Sequence, residues 1–339
     1  MAVKEIRAIK ASAHRRLLGA LSAAVLVGTA VLAVGLAQPA SAATNQFKGV
    51  NWADTRDNYN SGWVIPDGLS ASDSYAQVYA IANTDIKAFQ ANLGANTVRL
   101  PINPPSVSPS WWSAYRGTVD AALADGMKVI ISAWTESNSV GTITNMTAWN
   151  SMWSTVVGQY GGNANVYFEP LNEPYGYSLS QWVSICSTWL STHSSVPRSR
   201  VIISGTGYND HVTGVGAASA LSGTLLSLHY YGTWNSYTQE SQWQSDLNTR
   251  IGSYTSRTII DEFGAPMTTG VNYLANHNGA VEQSYFAAVT DLARADGMGS
   301  VYWAGLKTGD SYSMEAHSGS GLANNNASGV TQVRWGWGY

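Results

Sequence analysis

The 339-residue chain is 45% apolar and only 12% charged, with 33 Gly, 14 Trp and 18 Tyr against 5 Phe. That balance is globular and excludes a disordered, collagen-like or coiled-coil chain. The formal charge is −3, but Lys4, Arg7, Lys10, Arg15 and Arg16 against Glu5 give the first 42 residues +4 and leave −7 on the rest, which argues against nucleic acid as a partner.

The chain opens with a basic stretch ending at Arg16, an apolar run over residues 17–34 and then Gln38, Pro39, Ala40, Ser41 and Ala42. This pattern predicts a secretory signal over residues 1–42, cleaved after Ala42, and a secreted, extracellular product. A membrane anchor is the alternative, but small residues stand where interfacial aromatics would be expected. Arg15-Arg16 leaves the general secretory and twin-arginine routes both open. Residues 43–339 contain no linker, charge block or repeat and read as one catalytic domain, with no membrane contact after cleavage and no obligate protein partner. The single cysteine, Cys186, excludes an intramolecular disulfide. It falls at helical spacing with Trp182, Ile185, Trp189 and Leu190, as a buried core thiol would.

Eight short, nearly continuous apolar runs follow, at 47–53, 97–102, 128–134, 166–174, 200–206, 225–231, 257–265 and 299–305. Between them lie helical patterns at 84–93, 111–124, 147–160, 178–191, 239–253 and 280–295. Buried parallel strands alternating with helices predict an α/β fold, a single-domain (β/α)8 TIM barrel. Residues 206–220 have room only for a short helix. The Gly-, Ser- and Asn-rich tail after Gly305 predicts an atypical C-terminal segment in place of a regular eighth helix. A doubly wound sheet would need a phosphate-cradling Gly-x-Gly-x-x-Gly after the first strand, where this chain has Gly49-Val50-Asn51-Trp52-Ala53-Asp54.

In such a barrel the chemistry gathers at the C-terminal strand ends. There the sequence places Arg99, Asn172-Glu173, His229, Tyr231, Glu262 and Trp303. A carboxylate is costly to bury, so two of them closing apolar strands point to function rather than packing. Two carboxyls across one mouth suit glycosidic bond hydrolysis, which needs an acid and a base or nucleophile. Trp52, Trp63, Trp134, Trp234 and Trp303, at or just past strand ends, are the candidates for stacking on sugar rings. Trp149, Trp153, Trp182, Trp189 and Trp243 sit in helical patterns and read as core.

Phe168-Glu169-Pro170-Leu171-Asn172-Glu173-Pro174 and Ile260-Asp261-Glu262-Phe263-Gly264 resemble the acid/base and nucleophile signatures of glycoside hydrolase family 5, the cellulase and mannanase type of retaining glycosidase. His229-Tyr230-Tyr231, Arg99 and Trp303, in matching order, extend the resemblance over nearly the whole of residues 43–339. It implies Glu173 as acid/base and Glu262 as nucleophile of a double displacement through a glycosyl-enzyme. It further implies that Asn172 meets the sugar 2-hydroxyl and that Arg99 keeps Glu262 ionised with a low pKa while Glu173 stays protonated. Tyr231 would donate to the nucleophile, His229 would touch substrate or steady its surroundings, and Trp303 would floor the cleavage subsite.

By strand parity Glu169 should point inward but deeper, as a structural partner of Arg99, and Asp261 should point the other way, behind the sheet. The third strand ends Ile131-Ser132-Ala133-Trp134-Thr135-Glu136, without the His that many family members carry there. Trp134 would then be an extra stacking platform, and Glu136 either a hydrogen-bond acceptor or a solvated charge. His193, His211, His277 and His317 lack ligand spacing, so neither metal nor cofactor is expected. The expected substrate is a polysaccharide or oligosaccharide, first a β-1,4-glucan cut internally. β-Mannan, β-1,3-glucan or a smaller β-glycoside would use the same chemistry, and a non-catalytic carbohydrate-binding barrel is the reading from another class.

Overall fold

The computed structural model describes residues 44–339 except 58–60 and 137–138. The expected signal over residues 1–42 lies outside the described residues. Eight parallel strands form the barrel: β1 (Lys48–Trp52), β2 (Thr97–Ile102), β3 (Lys128–Ala133), β4 (Val166–Glu169), β5 (Ile202–Ser204), β6 (Leu225–Tyr231), β7 (Thr258–Gly264) and β8 (Gly299–Leu306). Hydrogen bonding runs β4-β3-β2-β1-β8-β7-β6-β5, and an isolated parallel bridge, Phe168 with Val201, all but closes the remaining seam. The structure therefore has the (β/α)8 architecture that the strand rhythm predicts.

Helices α1 (Tyr75–Ala88), α2 (Pro109–Ala124), α3 (Met146–Tyr160), α4 (Leu179–Thr192), α5 (Thr213–Ala217), α6 (Glu240–Ile251) and α7 (Val281–Ala295) follow the first seven strands in turn. Their starts are chemically marked. Ser74 with Gln77 and Ser178 with Gln181 form reciprocal capping boxes on α1 and α4, and Asn145 caps α3. The first helix begins nine residues before the apolar pattern at 84–93 because its exposed opening turns carry little periodic signal. Five-residue α5 is as short as the sequence predicts.

The expectation for the tail needs correction. After β8 the chain inserts an antiparallel hairpin, β9 (Glu315–Ser318) with β10 (Gly321–Asn324), and then forms a true eighth helix, α8 (Ala327–Gly336). Asn326 caps that helix through Gly329 N–H, and Val330 and Val333 bury one face of it. Two glycines and a weak apolar stripe hide the helix in the sequence, where tertiary packing overrides propensity.

Alternation along each strand sorts the side chains. Val98, Leu100, Ile131, Phe168, Ile203, Leu228 and Ile260 face the helix layer and join Trp111, Trp153, Trp182 and Trp243 in one continuous core. Cys186 belongs to that core, fully buried and free. The inward residues close the bottom of the barrel with Phe47, Ile130, Tyr167, Ile202, Leu225, Ile259 and Val301.

Candidate active site

The next inward position on the same strands is polar: Asn51, Arg99, Ser132, Glu169, Ser204, Ser227 and Asp261, each at most 2% exposed. Arg99 organises this level. Its Nε and Nη2 donate to the two oxygens of Glu169 at 2.7 and 2.8 Å, and Nη1 donates to Glu262 Oε1 at 2.6 Å and to Asn51 Oδ1 at 2.8 Å. Nη2 also reaches Asn172 Oδ1 at 2.6 Å and Ser132 Oγ at 3.1 Å. The planar fork thus holds one carboxylate bidentately and another by its edge, which Lys could not do. Glu169 is the deep structural partner that the sequence suggests, and Arg99 serves both carboxylates rather than one.

Glu173 lies four residues beyond the end of β4, in the loop, and not on a strand extending to Pro174 as the apolar run implies. Pro170 lacks the N–H needed to continue the ladder, so pairing stops at Glu169. Glu262 stays on β7. The two carboxyls and His229 each present an atom within 4.8 Å of the others. His229 Nδ1 stands 3.0 Å from Glu173 Oε1 and 3.2 Å from Glu262 Oε2, while Tyr231 Oη donates to Glu262 Oε2 at 3.0 Å. On Nδ1 the imidazole proton would face the carboxyls of both glutamates.

A bulge explains one departure from the sequence reading. Leu228 pairs with Ile260 but His229 pairs with Glu262, so Asp261 is the extra residue, and the register against β8 shifts over the same stretch. An inserted residue breaks alternation. Asp261 therefore faces the interior beside Glu262, with Ser227 Oγ donating to its Oδ1 at 2.5 Å, and not behind the sheet. Gly264, two residues past Glu262, is held close by its neighbour strand: a Cβ there would stand 2.0 Å from the Trp303 carbonyl oxygen.

A cavity of about 160 Å³ opens above these groups, lined by Asp57, Trp134, Asn172, Glu173, Tyr231, Glu262 and Trp303. Trp134 and Trp303 form an aromatic corner, ring centres 6.0 Å apart and planes at 50°. The buried Trp134 Nε1 has no hydrogen-bond partner. Because Arg99 occupies Asn172 Oδ1, the Asn172 amide N–H groups face the cavity. His229 is fully buried beneath the two glutamates and does not line the cavity.

Of the five tryptophans suggested for stacking, only Trp134 and Trp303 line the cavity. Trp52 alternates outward from Asn51, is fully buried against Phe89 and donates Nε1 to the Asp67 carbonyl. Trp63 stacks on Trp111 at 5.5 Å, and Trp234 lies beneath Arg250. Asp57 is the lining residue that sequence reasoning missed. It sits in the β1–α1 loop at φ +65°, a backbone region that Asp tolerates, and its Oδ2 accepts from Lys307 Nζ at 2.6 Å. No periodicity marks a loop residue, and Lys307 is 250 positions away in sequence. Glu136 lies outside this cavity, in the adjoining groove beside Trp134 and Trp149.

Burial dominates the proton affinities. It pushes Glu173 up to about 7, because Arg99 acts on it only at a distance and no cation is bonded to it. Burial raises Glu262 as well, while His229 and the bonded Arg99 pull it back. Desolvation outweighs both, so Glu262 lies above its ordinary range and not at the low pKa expected. Burial lowers His229 to about 4, which leaves the imidazole neutral.

Two carboxyls brought together at the C-terminal mouth of a (β/α)8 barrel, only one of them bonded to the buried guanidinium, are the arrangement expected of a glycoside hydrolase. The model of the cellulase family, glycosyl hydrolase family 5, matches residues 56–307, and the chain belongs to that family. The retaining mechanism is general to it. Among solved structures, an endo-β-1,4-glucanase from Xanthomonas axonopodis pv. citri is similar at 16% identity and TM-score 0.61, covering 86% of this chain and 99% of its own. An endocellulase from Pyrococcus horikoshii, solved with cellotetraose, is similar at 13% identity and TM-score 0.61, covering 85% of this chain and 92% of its own. Likeness at these identities shows the shared fold.

Proposed function

We propose that the protein is an exported enzyme that cleaves a β-1,4-glucan, with Glu173 as the acid/base and Glu262 as the nucleophile. The observation that carries this reading is the asymmetric pair: Glu262 bonded to Arg99 at 2.6 Å, Glu173 without a bonded cation, and carboxyl atoms of the two within 4.8 Å. So short a separation leaves no room for water between carboxyl and anomeric carbon and suits direct attack.

In the reaction, Glu173 protonates the leaving oxygen while Glu262 attacks the anomeric carbon from the opposite side. The glycosyl ester forms as the glycosidic C–O bond breaks. Glu173, now anionic, takes a proton from water, whose oxygen displaces Glu262 and restores the starting state. Asn172 donates to the 2-hydroxyl, a bond that strengthens as the ring becomes oxocarbenium-like. Trp303 and Trp134 pack the sugar face. Tyr231 and Arg99 keep Glu262 oriented and anionic.

The substrate assignment draws support from the family and from neighbours described as endoglucanases. The basic-apolar-small pattern of residues 1–42 supports export with trimming after Ala42. Among the described residues no helix is long and apolar enough to cross a membrane. The test is a chromatographic product profile of the chain from residue 43 onward on cellulose derivatives, mannan, β-1,3-glucan, xylan and aryl glycosides. Mixed cello-oligosaccharides are expected. Products from another backbone alone would replace the substrate, release only from small glycosides would replace internal cleavage, and silence on every substrate would overturn the reading.

A further inference from the structure

Of the buried acids under the mouth, Asp261 is the one that the mechanism does not use. It lies at the β7 bulge, which sets it inward side by side with Glu262, and it is fully buried. Its Oδ1 accepts from Ser227 and lies 3.8 Å from His229 Nε2, and its Oδ2 lies 3.9 Å from Arg99 Nε with no hydrogen-bond partner. The charged or titratable groups facing it are Arg99 from β2, Glu169 from β4, His229 from β6 and adjacent Glu262. Arg99 has already committed its donors to Glu169 and Glu262, so an ionised Asp261 would be a third anion on one guanidinium. Burial, with Glu169 and Glu262 nearby, holds the Asp261 carboxyl well above the usual carboxylate range against the pull of Arg99 and Ser227.

His229 shows the complementary vacancy. A neutral imidazole has one N–H; on Nδ1 it meets Glu262 Oε2 at 3.2 Å, and Glu173 Oε1 at 3.0 Å once that carboxyl is ionised. Nε2 is then a bare acceptor, and it is buried without a partner. The opposite tautomer would aim the Nδ1 lone pair at the Glu262 carboxylate and leave it to accept only from protonated Glu173. The choice between tautomers thus depends on what meets Nε2, and Asp261 is the titratable side chain across from it.

We propose that Asp261 is a positioning residue: in its acid form it presents a hydroxyl to His229 Nε2 and so keeps the imidazole proton on Nδ1, between Glu173 and Glu262. The gap of 3.8 Å exceeds hydrogen-bond length by about 1 Å, which a small side-chain rotation closes. Nδ1–H then faces whichever glutamate is anionic at each stage, Glu262 before attack and Glu173 while the ester exists. This inference rests on the glycosidase reading for its catalytic consequence, but the tautomer itself does not.

The experiment reads the His229 ring by long-range 1H–15N NMR in the folded chain, alongside kcat, KM and the pH profile of D261N and D261L. An amide at position 261 can donate to Nε2 and a Leu cannot. Expected are the Nδ1–H tautomer in the wild type and in D261N, with D261N within about threefold of wild-type kcat and an unchanged pH profile. D261L should show mixed tautomers and a kcat about 10- to 100-fold lower at similar KM. An Nε2–H wild type, a D261N as impaired as D261L, or a D261L with wild-type tautomer and kcat would each overturn the inference. Should D261L not fold, the wild-type tautomer and D261N decide it. An inactive wild type would count against the glycosidase reading alone, since the NMR result stands without turnover.

Discussion

The two ends of the barrel interior are built from the same strands, two residues apart, and could hardly differ more. Ile130, Tyr167, Ile202, Leu225 and Ile259 close the bottom, whereas Ser132, Glu169, Ser204, Ser227 and Asp261 stand directly above them. Both levels exclude water. The lower one stabilises the fold by apolar burial alone, while the upper one carries acids around a single guanidinium and must offset their desolvation by hydrogen bonds. Packing would be served as well by a second apolar level, so the upper level is retained for chemistry.

The largest effect expected from disturbing this contrast is on turnover. Glu262→Gln should lower kcat on the order of 10⁴-fold while leaving sugar binding and the melting temperature nearly unchanged, measured by reducing-end release, calorimetric titration and thermal unfolding. Arg99→Ala should act on both activity and fold. It strands Glu169 and Glu262 as unpaired buried acids at a cost of about 3–5 kcal/mol, visible as a lower denaturant midpoint. Ile259→Ala, one level below, should cost a comparable or smaller 2–5 kcal/mol through its cavity but leave kcat within about twofold in the protein that remains folded. If Ile259→Ala instead abolished turnover at full stability, the division of labour between the levels would be wrong.

The pH dependence sharpens the comparison further. With Glu173 raised to about 7, the acid keeps its proton below that pH, so kcat should fall about tenfold per unit on the alkaline side. The acid side should fall as Glu262 takes up a proton, giving a bell-shaped profile centred below neutrality. A rate still climbing at pH 9 would contradict this assignment.

The smallest effect is expected away from the mouth, where the β9–β10 hairpin meets α1. Burial raises Asp85 to about 6 and Glu315 to about 7, and each has one buried oxygen without a partner. Folded carboxyls with raised pKa values favour low pH. Between the unfolded values near 4 and the folded ones, the unfolded chain binds fewer protons, and stability falls as pH rises. Asp85→Asn should flatten that fall by about 1.4 kcal/mol between pH 5 and pH 8, read by urea titration at each.

Much of this was legible in the chain because parallel strands buried on both faces leave continuous apolar runs. Thr97–Ile102 and Leu225–Tyr231 coincide with β2 and β6. Arg99, Asn172, Glu173, His229, Tyr231, Glu262, Trp303 and Trp134 were legible because polar or aromatic groups stand out where apolar strands end, and the structure brings all eight together. Asp57 and Lys307 were not, since their pairing spans the chain and neither sits in a periodic element. Nor was α8, whose short glycine-bearing stripe becomes helical only against α7.

The sequence by itself determined the strand count, the family and which carboxyls meet at the mouth, because these follow from local patterns and from motifs a few residues long. Tertiary structure alone decided that Trp52 turns away from the cavity, that Glu173 hangs in a loop, and that Asp261 joins Glu262 inside. Each depends on register or burial: one extra residue opposite His229 reverses a side chain, and proton affinity is set by the neighbours that closure of the barrel supplies.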